Sequence, residues 1–436
     1  MKIIRLSLFA VALLTLGLTA CSPDDPSNIT LAQPEGREAL GNYVALGNSL
    51  TAGFMDGGLI MNGQMSSYPA QIAGAIGAHD FVQPLIASPG VGSSTPSSPA
   101  NAAGVLHWDG SAISLLGETP LASVPGLLLA ALNPTPYQNL GVPGATTYDV
   151  SNALTHADSQ SPGNTFFDLI LRNPDFGNKT MLEQAIAQGP TLVTLWIGNN
   201  DVLGGATGGD PVLGTNVTPP ATFSAMFEGI VNALNDGVFD RFGYEPALVV
   251  GNIPSITSAP YFVPKALFDS VVGFEYPTDE TDVAYVRFPA LGIADGSSLA
   301  STYTLTTAEV AMVEDVVVGY NTALDTLADT YGFTVVDMNA ELAGLDANSR
   351  SHFQLLLGGG MTVEQAAAAT AFSLDGIHPN SRGYSVAANA FIEGINNELE
   401  LSGEDIVPDV DEASWDPTYG TSNKGAAVHE PLQGIF

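Results

Sequence analysis

Cysteine is almost absent: Cys21 is the only one among 436 residues. No intramolecular disulfide can form, so the fold has to rest on its core. Basic residues are scarce as well. Eleven Lys and Arg face 45 Asp and Glu, a formal net charge of −34. A surface this acidic repels phosphate backbones and anionic headgroups, which excludes nucleic acid as a partner and any membrane contact held by charge. The acids are dispersed rather than gathered into runs, as on a solvated surface. No internal repeat is present. After the first twenty residues no apolar run is long enough to cross a bilayer. What is abundant is apolar. Hydrophobic residues make up 45% of the chain, enough to fill a large core and to make global disorder an unsuitable description.

The amino-terminal segment reads as a targeting signal. Lys2 and Arg5 precede an apolar stretch from Leu6 to Leu16, which ends at Leu18-Thr19-Ala20-Cys21. The stretch is too short to span a membrane and has the layout of a signal peptide. The junction resembles a bacterial lipobox. That resemblance implies a lipidated Cys21 as mature amino terminus; simple secretion with an incidental cysteine is the plainer alternative. Residues 1–20 are therefore expected to be a signal peptide, and 21–40, rich in Pro, Asp and Ser, a flexible tether. The expected location is outside the cytoplasm, anchored to the cell envelope and by preference the outer membrane, facing the periplasm or outward.

Five short apolar segments are expected as strands: 42–47, 137–140, 191–197, 246–252 and 333–337. The run Thr191-Leu192-Val193-Thr194-Leu195-Trp196-Ile197 lacks polar alternation, as a parallel strand covered on both faces should. Helical spacing is found over 67–78, 147–154, 220–237, 306–331, 363–372 and 380–399, and Thr306-Thr307-Ala308-Glu309 has the pattern of a helix cap. Strands alternating with helices predict an α/β fold with a five-stranded parallel sheet covered on both faces. The domain is expected over 41–402, interrupted by two long loop insertions, 84–136 and 260–301. A glycine- and methionine-rich loop, 54–66, is expected near the site. The insertions are read as shaping the pocket wall and substrate choice. Residues 403–436, acidic and turn-rich, are expected to be a surface extension.

In open α/β sheets ligands bind beyond the carboxyl ends of the strands. The first strand delivers Ser49 there, within Gly47-Asn48-Ser49-Leu50. The second ends at Gly141-Val142-Pro143-Gly144 and the third at Gly198-Asn199-Asn200-Asp201, while Asp375-Gly376-Ile377-His378 precedes the last helix. Acyl transfer requires a nucleophile, a base in reach of it, a group orienting the base, and donors for the oxyanion. Ser49, His378 and Asp375 are residue types fit for the first three roles. The Ser49 and Gly144 backbone N–H groups and the Asn200 amide fit the fourth. His79, His107, His156, His352 and His429 have no comparable setting.

These blocks, in this order, resemble those of the GDSL, or SGNH, hydrolases. The resemblance implies a flavodoxin-like three-layer α/β/α fold and hydrolysis of esters or thioesters through an acyl-serine. Ser49, Asp375 and His378 match the triad, and Ser49, Gly144 and Asn200 the oxyanion hole. No metal or organic cofactor is implied. One position departs: Asn48 stands where the family has aspartate, a near-isostere expected to cost little activity. The expected substrate is an uncharged or weakly charged small-molecule, lipid or glycan ester, and oligomeric state is left open. Lipase, thioesterase, arylesterase, phospholipase and carbohydrate deacetylase are not separated.

Two other readings compete. One is a surface lipoprotein that keeps the fold but binds a glycan or peptide, drawing on Trp108, Trp196, Trp415 and the long loops. The other is a calcium-stabilised protein, from Asp279-Glu280-Thr281-Asp282 and Asp409-Val410-Asp411-Glu412. Their spacing does not match an EF-hand loop, and solvated acidic surface accounts for both.

Overall fold

A computed structural model describes residues 34–411 except 94–96, 109–112, 162, 174 and 289–295. Cys21, Trp415 and His429 lie outside the described residues. Five parallel strands form the central sheet: β1 (Tyr43–Gly47), β2 (Asn139–Gly141), β3 (Leu192–Trp196), β4 (Ala247–Gly251) and β5 (Thr334–Val336). Their spatial order is β5-β4-β3-β1-β2. β1 pairs with β3 in the register Val44 to Val193 and with β2 in the register Ala45 to Asn139. The direction of strand addition therefore reverses beside β1, which opens a crevice at its carboxyl end.

Every residue of β1 and β3 is buried. Alternate side chains serve opposite faces, as the two-residue period of a strand requires. Val44, Leu46, Val193 and Leu195 join one core, and Tyr43, Ala45, Leu192 and Trp196 another. The first core is closed by helices α2 (Pro220–Phe242) and α3 (Thr307–Tyr331). Phe223, Phe227, Ile230, Val231 and Leu234 fall on one stripe of α2 at helical spacing. The second core is closed by α1 (Tyr68–Ile76) and α4 (Ser381–Glu398), through Tyr68, Ile72, Tyr384, Phe391 and Ile395. The outcome is three layers, α/β/α. α3 opens with the expected cap: Thr306 N–H donates to Glu309 Oε2 at 2.7 Å, and Thr306 Oγ1 accepts the Glu309 N–H at 3.3 Å.

The two insertions are not plain loops. Strands Val91–Gly92, Asn101–Ala103 and Glu118–Pro120 join Gly58–Leu59 in an antiparallel sheet, and Leu106–Trp108 pairs with Ile113–Leu115. In the second insertion, Phe262–Pro264 and Val283–Arg287 form a three-stranded antiparallel sheet with Thr304–Thr306, beside helix Lys265–Val272. The expected loop over 54–66 contains a tight hairpin and helix Met61–Met65. Residues 403–411 run along α4, where Asn396 and Asn389 pair with the backbones of Val407 and Val410. Among the described residues no helix is long and apolar enough to cross a membrane, and no group of three metal-ligating side chains comes together.

Candidate active site

β1 ends directly beneath a four-residue helical turn, Ser49–Ala52. Asn48 caps it. Its Oδ1 accepts the Leu50 N–H at 3.0 Å, and its Nδ2 donates to Asn199 Oδ1 at 2.9 Å. The acceptor role open to an aspartate is thus kept, and the amide adds a tie to the neighbouring strand end. Ser49 is buried apart from a 7% exposed remnant that faces a cleft.

The His378 loop is closed on itself. Ser373 N–H donates to the carbonyl of His378 at 2.8 Å and Gly376 N–H to that of Ser373 at 3.0 Å. Asp375 folds back over its own turn, its Oδ1 accepting the N–H groups of Ile377 and His378 at 2.9 Å each. Asp375 Oδ2 then receives His378 Nδ1–H at 2.9 Å, and His378 Nε2 lies 2.9 Å from Ser49 Oγ. With Nδ1 donating to the carboxylate, Nε2 carries the lone pair that faces the Ser49 hydroxyl. Burial by itself would push the Asp375 carboxyl up. The His378 charge, its Nδ1–H and the two turn N–H groups outweigh burial and hold it down to about 2. Asp375 is therefore an anion at neutral pH.

A helix, Asn199–Gly208, follows the end of β3 and carries Asn200. One amide proton of Asn200 donates to the carbonyl of Ala145 at 2.8 Å; among the described residues its other proton is uncommitted. That bond ties Asn200 to the turn carrying Gly144. The turn is set by Val142 N–H to Gly47 O at 3.0 Å and by Thr147 N–H to Asp201 Oδ2 at 2.8 Å. Gly144 is exposed with φ +78°, and a Cβ there would stand 2.9 Å from Asn164 Nδ2. Ser49, Asn200 and His378 line one cleft. Gly144 is one residue from the carbonyl that Asn200 holds and does not itself line that cleft.

The cleft is open to solvent, and its interior cavity is small, about 100 Å³. Its walls include Leu203, Ile253, Ile256, Leu342, Phe372 and Val386, and Glu341 is the only acidic or basic side chain there apart from the imidazole, among the described residues. Here the expectation for the insertions fails. Among the described residues none from 84–136 or 260–301 lines the cleft; its walls come from the segments that follow the strands of the central sheet, from the 371–379 turn and from α4. The reason is topological, since the crevice lies above β1 and β3 and the adjoining strand ends fill its perimeter first.

Four residues that the sequence did not single out complete the surroundings. The ring of Phe54 packs on His378 with centroids 4.6 Å apart. Gly57 N–H reaches Asp375 Oδ2 at 2.8 Å, and Asp56 Oδ1 accepts the Leu374 N–H at 2.9 Å. His352, fully buried, meets the Leu374 carbonyl through Nε2 at 3.0 Å. Burial pushes its pKa down to about 4, against the Leu374 bond and the Asp375 charge, so it is neutral at pH 7. The dipeptide Asp56-Gly57 is a legible turn signal; a lone histidine carries none.

The sequence profile of the GDSL-like lipase/acylhydrolases matches residues 43–391. The chain belongs to this family. This GDSL-family protein is accordingly an enzyme that hydrolyses ester bonds. No protein of curated function matches it. Among solved structures it is similar to a catalytic mutant of an acetylxylan esterase from Geobacillus stearothermophilus, at 14% identity and TM-score 0.35, covering 86% of this chain and 98% of that one. It is also similar to a lipase/acylhydrolase from Enterococcus faecalis, at 12% identity and TM-score 0.34, covering 83% and 99%. A third is a family 3 carbohydrate esterase from Clostridium thermocellum, at 13% identity and TM-score 0.32, covering 82% and 96%.

Proposed function

We propose that this GDSL-family enzyme is a serine esterase for uncharged carboxylic esters with an apolar acyl or alkyl part. One observation carries the reading: Ser49 Oγ, His378 and Asp375 are linked in series by two contacts of 2.9 Å at the edge of an apolar cleft. His378 Nε2 takes the Ser49 proton as Oγ attacks the ester carbonyl. The carbonyl oxygen becomes an oxyanion facing the free Asn200 amide proton and the backbone N–H of Ser49, with Gly144 beside the carbonyl that Asn200 holds as a third donor once substrate is bound. Its collapse breaks the ester C–O bond, and the alcohol leaves with the proton from His378. Water, deprotonated by the same nitrogen, then attacks the acyl-serine; the bond between the acyl carbon and Oγ breaks, His378 returns the proton to Ser49, and the acid departs. Asp375 stays ionised throughout and stabilises the imidazolium. Loss of one oxyanion donor typically costs about 10²–10³ in rate. The walls favour carbon chains, and a net charge of −34 disfavours anionic esters by field.

The test is a series of p-nitrophenyl esters of rising chain length. Wild-type enzyme should turn them over and react covalently with a fluorophosphonate at Ser49. Ser49→Ala should lose the label, and Ser49→Ala and His378→Ala should each lose at least about 10³-fold in kcat. Turnover retained in both variants rejects the assignment. As a further part of the proposal, a lipid on Cys21 would hold the enzyme at the cell envelope. Intact-mass measurement of the mature protein, with Cys21→Ser as control, decides that point.

A further inference from the structure

Asp56 and Gly57 both have left-handed backbone, φ +54° and +74°. Met55 and Gly58 exchange both backbone hydrogen bonds across them at 3.1 Å. This is a two-residue hairpin of the kind that Asp-Gly favours, because its centre needs two positive φ values. Its tip is not in solvent. It is driven into the back of the 373–378 turn and bonded there at three points. Gly57 N–H donates to Asp375 Oδ2 at 2.8 Å, the oxygen that also faces His378 Nδ1. Asp56 Oδ1 accepts the Leu374 N–H at 2.9 Å, and Asp56 N–H donates to Ser373 Oγ at 2.9 Å. The Leu374 backbone is thus held on both sides, its carbonyl by His352 and its N–H by Asp56. From the far side, Leu106 N–H donates to the Asp56 carbonyl at 2.7 Å, so the first insertion buttresses the hairpin. The Asp56 residue is 1% exposed.

We propose that Asp56 is a positioning residue for the acid–base pair: its carboxyl pins the turn at Leu374, and this aims Asp375 Oδ2 at His378. The proposal rests on the reading that Asp375 and His378 serve Ser49. It gives the first insertion a role at the site without contact with the cleft. Oδ2 of Asp375 has one line of approach to Nδ1, and a turn free to rock by about 1 Å would misalign the base; displacements of that size cost about 10²-fold. Burial pushes the Asp56 carboxyl well above the ordinary range; the Leu374 N–H opposes this and the neighbouring Asp375 charge adds to it. An amide oxygen at the same place can accept the Leu374 N–H, which makes asparagine a fair substitute. Asn-Gly also suits the same hairpin.

The experiment compares wild type, Asp56→Ala, Asp56→Asn and Ser373→Ala on one p-nitrophenyl ester, well below the melting temperature of each. Asp56→Ala should lower kcat about 10- to 100-fold with KM within about threefold, because binding in the cleft is untouched. Asp56→Asn should restore kcat to within about threefold of wild type by keeping the Leu374 acceptor. Ser373→Ala, a small deletion at the same interface, should lower kcat by about three- to tenfold, again with KM kept. It supplies the answer if the alanine variant at 56 does not fold. A kcat unchanged in both Asp56→Ala and Ser373→Ala overturns the proposal, and so does an Asp56→Asn as impaired as Asp56→Ala. A wild-type enzyme that neither turns over an ester nor takes the fluorophosphonate overturns the underlying assignment instead, which separates the two failures.

Discussion

Asn48 and Asn199, 151 residues apart, are joined by a 2.9 Å bond from one side-chain amide to the other's oxygen. The bond couples the turn that presents Ser49 to the start of the helix that presents Asn200, so the proposed nucleophile and the proposed oxyanion donor are tied through one contact. Asn48→Asp keeps the acceptor for Leu50 N–H, and a rotated Asn199 amide can donate to it. Its kcat/KM should stay within about threefold of wild type. Asn48→Ala removes cap and coupling together; it should cost about 1 kcal/mol of stability and lower kcat about tenfold. Thermal unfolding and ester kinetics on the two variants check this. An alanine variant with wild-type kcat counts against the coupling.

Asp375→Asn tests the charge of the proposed orienting group apart from its shape. An amide in place of the carboxylate can impose the wrong imidazole tautomer, with about 10³–10⁴-fold lost in kcat and KM little changed. The stability consequence has a definite sign. The folded carboxyl titrates near 2, below its unfolded value near 4. Its contribution is therefore complete above about pH 4 and lost as pH falls from 4 towards 2. Acid unfolding of wild type should be steeper in that window than that of Asp375→Asn, and parallel curves would refute it.

The cleft offers a test of substrate class. Leu342 stands in its wall among apolar neighbours, and Leu342→Trp should fill space that a chain would occupy. A methylene in such a pocket is worth about 1–3 kcal/mol. The ratio of kcat/KM for an octanoate over an acetate ester should fall at least about tenfold, with acetate turnover kept. A ratio unchanged by the bulkier side chain means the chain lies elsewhere.

Much of the fold was legible because the physics was local. β1, β3 and β4 are continuous apolar runs, readable as strands buried on both faces, and Thr306 with Glu309 spelled a helix start. The helix Asn199–Gly208 was not legible. It carries Gly204, Gly205 and Gly208, each costly in a helix interior, and it forms because its neighbours close on it. A Cβ on Gly205 would meet Val217 Cγ2 at 2.6 Å, so the small residue is a packing choice. The helix Met181–Ala187 had a readable capping box in Thr180 and Glu183 but only seven residues to carry a period. At the site, Ser49, Asn200, Asp375 and His378 were readable since each sits in a short block at a strand or loop end. Asp56 and His352 were not. Their roles come from packing against a turn more than 300 residues away in one case and 22 in the other.

Asp201 adjoins Asn200 and holds the other strand end: its Oδ2 accepts the Thr147 N–H at 2.8 Å and the Thr147 hydroxyl at 3.1 Å. Burial pushes its carboxyl up to about 6, the Thr147 bonds and the Thr218 hydroxyl pull against that, and the Asp149 charge adds to the rise. In the unfolded chain the group titrates near 3.9. Between those pH values the folded protein keeps a proton that the unfolded chain has released. Stability therefore falls as pH rises from about 4 to about 6, by roughly 3 kcal/mol for a shift of this size. Asp201→Asn keeps an acceptor for Thr147 and has no proton to lose. Its melting temperature should fall less than that of wild type between pH 4.5 and 7, and it should exceed wild type at pH 7. Asp201→Ala, which frees the Gly144 turn, should instead lose kcat about tenfold with KM little changed. Thermal melts at the two pH values decide the first point, because a titrating Asp201 cannot give wild type and Asp201→Asn the same pH slope.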